Sequence, residues 1–226
     1  MNISFKDLFT IAALTSLIAG VVLTLFQQIQ VIPAVLEAEG YEPVEHSQIA
    51  HVHEDDEQTE WAPAEGLERN LFTAAANIVV ALGFALLLGA AAAWRGSTLN
   101  WRSGLLWGVA GYVVFFVAPS LGLHPELPGT EAANLQLRQI WWVATVLCTA
   151  TGLALIFFKQ RYIFKALGIA LIFTPHIIGA PLPDIHSALA PDELIHAFII
   201  ATILSNAVFW LSLGGLYGFF NQKLAR

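Results

Sequence analysis

Long runs of apolar residues, separated by short polar stretches, dominate the pattern along this chain. Six runs hold one lysine and no carboxylate between them, and they cover residues 8–26, 71–93, 105–121, 140–158, 163–180 and 197–220. A helix needs about 20 mostly apolar residues to cross the hydrocarbon core of a bilayer. The runs are continuous, whereas the strands of a membrane β-barrel alternate in hydrophobicity over about 10 residues. The pattern predicts an all-α fold, a polytopic membrane helical bundle of about six transmembrane helices.

Two of these runs are less certain to be transmembrane spans from their pattern alone, namely the fifth and the first. The fifth contains Pro175 and Gly179 and is the weakest span, and without it the two termini would lie on opposite sides. The first run follows Lys6 as the apolar core of a signal peptide would, but its 19 residues exceed the roughly 7–15 of such a core. No small-x-small cleavage site follows it at Gln27 and Gln28. We therefore expect a retained first span.

Composition supports a membrane protein and excludes other classes. Only 12% of the 226 residues are charged and 57% are hydrophobic, whereas soluble domains carry about 25% charged residues. Disorder requires a polar chain, and the net charge of −7 would repel nucleic acid. Cys148, the single cysteine, cannot form an internal disulfide or a cysteine-based metal cluster. We expect residues 1–226 to form a single integral membrane domain.

The basic residues predict an orientation. With six spans, eight of the ten lysines and arginines lie on one side, and only Arg69 and Arg138 lie on the other. Cytoplasmic ends of spans collect lysine and arginine. Both termini are therefore predicted to be cytoplasmic (N-in/C-in).

The opposite, outer side collects 16 of the 17 acids and all seven histidines. Most lie in the long outer loop predicted for residues 27–70, where the candidate metal ligands are His46, His51, His53, Glu54, Asp55, Asp56 and Glu57. Imidazole with carboxylate suits divalent ions such as Co²⁺, Ni²⁺ and Zn²⁺, and nearby acids raise the local cation concentration. A solvated acidic loop with incidental histidines is the alternative.

Further candidates lie in the shorter outer loops and in the spans. His124 and Glu126 occupy a Pro/Gly turn, and Asp184, His186 and His196 lie between the fifth and sixth spans. These residues suit a second metal-binding site on the route into the membrane. The alternative is that they belong to structural turns with solvated caps. His176 follows Pro175 inside the fifth run and marks an ion route or a packing residue. Asn77 and Asn206 are expected to join neighbouring helices, and the two GxxxG motifs predict close helix packing. Arg138 and the tryptophans near span ends are expected to be interfacial anchors.

Several segments together resemble the CbtA family of predicted cobalt transporter subunits. They are Gln27-Gln28, PAVLEAE at 33–39, WAPAEGLER at 61–69, APSLGLHPELPG at 118–129, RQIWW at 138–142 and PHIIGAP at 175–181. The resemblance spans nearly the whole chain. It implies a multi-pass protein of the bacterial inner (cytoplasmic) membrane that takes up cobalt for cobalamin biosynthesis. It also implies a partner, a small histidine-rich single-span subunit of the CbtB type.

The function predicted is that of an integral membrane subunit for cobalt uptake, with Co²⁺ as the transported ion and Ni²⁺ as a rival cargo. The outer loop would capture the ion, and His124, Glu126, Asp184, His186 and His196 would pass it towards His176. We expect no permanently bound cofactor and no enzyme activity, and no GxxxxGK[ST] motif for ATP hydrolysis occurs. Two alternatives remain open: a haem- or quinone-linked membrane redox protein, and a membrane metallohydrolase.

Overall fold

The computed structural model describes residues 4–41, 63–64, 66–96, 98–183 and 187–224. Six helices account for most of them, and their bounds are α1 Phe5–Glu39, α2 Leu67–Trp94, α3 Trp101–Ser120, α4 Leu135–Phe158, α5 Tyr162–Ile178 and α6 Asp192–Leu224. Among the described residues no strand occurs, and a single isolated bridge joins Thr130 to Ala188. The predicted all-α fold is confirmed.

Side chains and backbone account for several helix ends. The Ser4 hydroxyl accepts the Asp7 backbone N–H at 3.1 Å and caps α1. Asn100 and Asn134 cap α3 and α4 in the same way, each accepting two backbone N–H groups of the first turn. These caps satisfy donors that have no partner inside the helix. At the end of α5, Gly179 adopts a φ of 90°, which glycine reaches without steric cost.

Five helices are long and apolar enough to span a membrane, namely α1, α2, α3, α4 and α6. The sequence predicted six spans, and the difference is α5, which has only 17 residues. At 1.5 Å per residue α5 is about 25 Å long, against a hydrocarbon core of about 30 Å. The structure thus has five candidate spans and one shorter apolar helix, and a sixth crossing stays a prediction.

Helix α1 runs further than the sequence predicted. It is α-helical over Phe5–Phe26, forms a π-helical turn over Gln27–Val31, and is α-helical again over Ile32–Glu39. Pro33 lies in the first turn of the last segment, where its missing N–H costs little. The segment 27–39, which we expected to open the long outer loop, is therefore helical.

The most extensive helix contacts join α3 to α6, α1 to α2, α4 to α5 and α1 to α6. Helix α2 also contacts α6, and its Phe84 ring packs on Phe115 of α3. Helices α3 and α6 approach closely where the predicted GxxxG motifs, at 104–108 and 214–218, meet. A Cβ on Gly104 would strike the Gly214 carbonyl, and a Cβ on Gly218 would strike the Asn100 carbonyl. Small residues let helix backbones approach in this way, so the close packing predicted from the two motifs is confirmed.

Candidate metal-binding cavity

A polar cavity of about 420 Å³ opens at the end of the bundle where α3 ends and α4 and α6 begin. We call this the cavity end. Four potential metal ligands line the cavity, and they are His124, Glu126, Glu131 and Asp192. Arg138 and Ser187 also line it. One imidazole and three carboxylates are the ligand types that suit a divalent transition metal.

Two connections form one wall of the cavity by pairing their backbones. The Glu131 N–H donates to the Ser187 carbonyl at 3.0 Å, and the Leu189 N–H donates to the Gly129 carbonyl at 3.3 Å. Gly129 has a φ of 75°, a left-handed conformation that suits glycine. This pairing holds Glu131 beside the segment that leads into α6.

One of the cavity carboxylates, Glu126, already forms an ion pair with Arg138. The Arg138 guanidinium donates to Glu126 Oε2 at 2.7 Å. Asn134 caps α4 and also accepts the Arg138 backbone N–H at 3.0 Å, so the cap fixes the turn that presents Arg138. A metal ion that uses Glu126 must compete with this guanidinium.

His176 lies behind the cavity wall. Its ring meets the edge of Trp141 with centroids 5.8 Å apart, and its buried Nε2 has no hydrogen-bond partner among the described residues. The Trp141 indole N–H donates to the Pro175 carbonyl at 3.2 Å. A Cβ on Gly122, a cavity-lining residue, would collide with the Trp141 ring. Trp141 therefore contacts both His176 and a residue that lines the cavity.

Of the remaining predicted ligands, the structure describes His196, and the others lie outside the described residues. His196 is exposed, does not line the cavity, and places Nδ1 3.2 Å from the Asp192 carbonyl oxygen. The other group, which lies outside the described residues, comprises His46, His51, His53, Glu54, Asp55, Asp56, Glu57, Asp184 and His186. Their role as ligands stays a prediction.

The potential ligands line the same cavity, but their side chains are not placed around a single metal position. In the described ranges no group of three or more His, Cys, Asp or Glu residues is placed to hold a metal ion. The predicted His124 and Glu126 do lie together at the cavity, while His176 and His196 are outside its lining. The described residues therefore line an open cavity and do not form a closed coordination site.

Sequence reasoning missed several residues of this region. Glu131 and Asp192 line the cavity but were not among the predicted ligands. Arg138, expected to be an interfacial anchor, is paired with Glu126. Trp141 was also expected to be an anchor, but it is only 8% exposed because its indole bonds inside the bundle. The one available signal was the acidic content of these short loops.

Two polar residues inside the helices were predicted to join neighbours. Asn77 of α2 does so, since its Nδ2 donates to Thr24 Oγ1 at 3.0 Å and to Gln27 Oε1 at 2.6 Å in α1. Within the described residues Asn206 bonds only inside its own helix, where its Nδ2 donates at 3.0 Å to the Thr202 carbonyl. The expectation for Asn206 was therefore wrong.

Comparison with known proteins adds a family to this geometry. No curated protein and no solved structure matches the chain. A family model described as a probable cobalt transporter subunit, CbtA, matches residues 5–222. That range includes all six helices up to residue 222 and the whole cavity lining. The chain therefore belongs to the CbtA family, whose description is that of a transporter subunit.

Proposed function

We propose that this chain is the cobalt-handling subunit of an uptake transporter in the bacterial inner membrane, and that Co²⁺ enters the bundle through the cavity. The observation that carries the proposal is the meeting of His124, Glu126, Glu131 and Asp192 at one polar cavity. Family membership supplies cobalt as the cargo. Both termini are cytoplasmic in this proposal, so the cavity faces outwards.

The acidic part of the long outer loop binds the ion before it reaches the cavity. It captures Co²⁺ through His46, His51, His53 and the acids Glu54, Asp55, Asp56 and Glu57. Asp184 and His186 precede Ser187, a cavity-lining residue, and they supply further ligands as the ion arrives. His196 lies one helical turn after Asp192, and its ring extends the same route along α6. Ligands from several segments then replace the water around the ion stepwise.

His176 receives the ion next. Its Nε2 is buried and has no partner in the described part of the chain, and an unsatisfied buried polar atom is costly. Occupation by a metal ion would satisfy it. Trp141 contacts both His176 and the cavity-lining Gly122, so we expect its ring to shift as the ion passes.

The test is uptake of radioactive Co²⁺ at limiting concentration by cells that make the chain together with a CbtB-type partner. Asp192→Asn and His124→Ala should each lower uptake several-fold, since each removes a ligand. Glu193→Gln is the matched control, because Glu193 is the next residue of the same helix turn and does not line the cavity. Equal uptake by Asp192→Asn and Glu193→Gln would contradict a role for the cavity.

The capture step is tested separately with the double variant His51→Ala, His53→Ala. We expect lower uptake at limiting Co²⁺ and normal uptake at high Co²⁺, because capture matters only when the ion is scarce. Ni²⁺ added as a competitor reports whether the route distinguishes the two ions. Unchanged uptake at limiting Co²⁺ would contradict capture by the loop, and it would not contradict the proposed role of the cavity.

The two rival functions are not favoured. A membrane haem needs histidines that face one another at depth, whereas the His176 ring packs against Trp141 and His196 is exposed on α6. A metallohydrolase needs ligands converged on one metal, which the described residues do not provide. An absorption spectrum of the purified protein with a Soret band would instead support the redox function.

A further inference from the structure

Neutral polar side chains gather where α1 forms its π-helical turn over Gln27–Val31. Thr24 Oγ1 and Gln27 Oε1 both accept hydrogen bonds from one nitrogen, Asn77 Nδ2, at 3.0 and 2.6 Å. The two oxygens are therefore close neighbours. Single π-helical turns inside α-helices are rare and occur frequently at functional sites.

Ser205 is a buried residue of α6, the helix that packs against α1. Phe198 of α6 packs in a cluster with Ala34, beyond the turn, while Phe209 packs in a cluster with Leu23, before the turn. Ser205 lies seven residues after Phe198 and four before Phe209, which places all three on one face of α6. The π-helical turn contacts α6 directly. Ser205 therefore lies at the level of the turn.

The Ser205 hydroxyl has no hydrogen-bond partner in the part of the chain that the structure describes. Ser205 is only 2% exposed, and its Oγ makes no hydrogen bond within the described ranges. A buried hydroxyl could bond to the carbonyl four residues back, as the Thr24 hydroxyl does to Gly20 at 2.8 Å. The Ser205 Oγ instead leaves its lone pairs available to a ligand. An unsatisfied buried group of this kind calls for an explanation.

The chemistry of these groups selects a class of ligand. Hydroxyl and amide oxygens are neutral, and the six apolar runs contain no carboxylate. The cost of burying an ion grows with the square of its charge, so neutral oxygens suit a monovalent cation far better than Co²⁺. Transport proteins hold monovalent cations with neutral oxygens at interruptions of spanning helices.

We propose that Thr24, Gln27, Asn77 and Ser205 form a binding site for a small monovalent cation, with Na⁺ as the ion that the site takes. Rotation of the Asn77 amide by half a turn replaces Nδ2 with Oδ1, so three side-chain oxygens then face one position. The Ser205 hydroxyl adds a fourth, and the ion replaces the hydrogen bonds that the amide gives up. Binding itself is independent of cobalt; only its use as a coupling ion for uptake rests on the proposed function.

The experiment measures binding of radioactive ²²Na⁺ to the purified full-length protein in detergent, with choline as the background cation. The wild-type protein should bind ²²Na⁺ saturably, and unlabelled Na⁺ should displace it. Ser205→Ala should weaken binding about tenfold or more through loss of one ligand oxygen. Asn77→Asp should tighten binding, because a carboxylate adds charge to a site built from neutral oxygens.

Thr149→Val is the matched control. Thr149 is fully buried in α4 and its Oγ1 also has no partner in the described part of the chain, but α4 is not adjacent to α1. This variant should bind ²²Na⁺ like the wild type. Size-exclusion chromatography of each variant confirms that it is folded.

Two results would overturn the proposal. One is an absence of displaceable ²²Na⁺ binding in the wild-type protein. The other is unchanged binding in both Ser205→Ala and Asn77→Asp, which would make the cluster a helix-joining network only. His124→Ala separates this proposal from the function, because it should lose Co²⁺ uptake and keep ²²Na⁺ binding. Normal ²²Na⁺ binding beside Co²⁺ uptake that is insensitive to every cavity variant would reject the proposed function alone.

Discussion

At the residue scale, the ion pair between Arg138 and Glu126 determines how many of the cavity carboxylates are free to bind a cation. The guanidinium neutralises one of three carboxylates and holds it at 2.7 Å. Ion pairs near a protein surface contribute only about 0–1 kcal/mol, so a divalent ion can displace the guanidinium. If Co²⁺ binds at the cavity as proposed, Arg138 competes with it for the Glu126 carboxylate.

Arg138→Gln should therefore strengthen Co²⁺ binding at the cavity by several-fold, since Glu126 becomes available without competition. Glu126→Gln should weaken it. Isothermal titration of Co²⁺ into the purified protein measures both effects. Arg69→Gln is the control, because Arg69 makes a similar ion pair with Glu39 at 2.9 Å that does not line the cavity. Weaker Co²⁺ binding by Arg138→Gln would mean that the arginine organises the cavity instead of competing in it.

A second residue-scale prediction concerns Trp141. Trp141→Phe removes the indole N–H that donates to the Pro175 carbonyl at 3.2 Å, and one such bond contributes about 1 kcal/mol to stability. The midpoint of thermal unfolding in detergent should fall by about 2–4 °C. Trp142→Phe, at the neighbouring position with 36% exposure, should leave the midpoint nearly unchanged. Equal shifts in the two variants would show that the indole bond contributes nothing specific.

At the scale of helices, α3 and α6 depend on glycine to approach each other. A Cβ on Gly108 would strike the Trp210 carbonyl, and a Cβ on Gly214 would strike the Gly104 carbonyl. Backbone atoms cannot move aside as a flexible side chain can. The contact between α3 and α6 therefore tolerates no larger residue at these positions.

Gly108→Val should prevent α6 from docking on α3, and the protein should elute as aggregate in size-exclusion chromatography. Gly83→Ala in α2 is the control, because a Cβ there meets nothing within 4 Å. Alanine at that position should raise helix stability by up to about 1 kcal/mol. A monodisperse Gly108→Val protein with native helix content would contradict the packing argument.

The sequence predicted most helices of this fold but only part of the site. Apolar runs and GxxxG spacing report burial and close packing directly, so the helices and the contact between α3 and α6 could be predicted. The cavity wall could not, because it depends on backbone pairing between Gly129 and Leu189, which are far apart in sequence. The π-helical turn of α1 likewise has no sequence signature, so the hydrogen bond between Gln27 and Asn77 could not be predicted.

At the scale of the whole molecule, α5 decides the topology. Its length of about 25 Å falls short of a bilayer core of about 30 Å. Lys165 lies in its first turn and can extend its amine to the interface, and Lys159 and Arg161 precede it. Thinning of the bilayer and such extended side chains can accommodate a short helix. The charge distribution therefore favours a crossing by α5 with both termini in the cytoplasm.

Labelling of single cysteines on either side of α5 tests this crossing. Cys148→Ser gives a cysteine-free background, and Gln160→Cys and Ser187→Cys then place one exposed cysteine before α5 or after it. Right-side-out vesicles treated with a membrane-impermeant maleimide should label Ser187→Cys at once and Gln160→Cys only after permeabilisation. If both were labelled from outside, α5 would not cross and α4 would end on the outer side. Lys159 and Arg161 would then face outwards, against the positive-inside rule. Because α4 and α6 both begin at the cavity, we expect α5 to return the chain across the membrane.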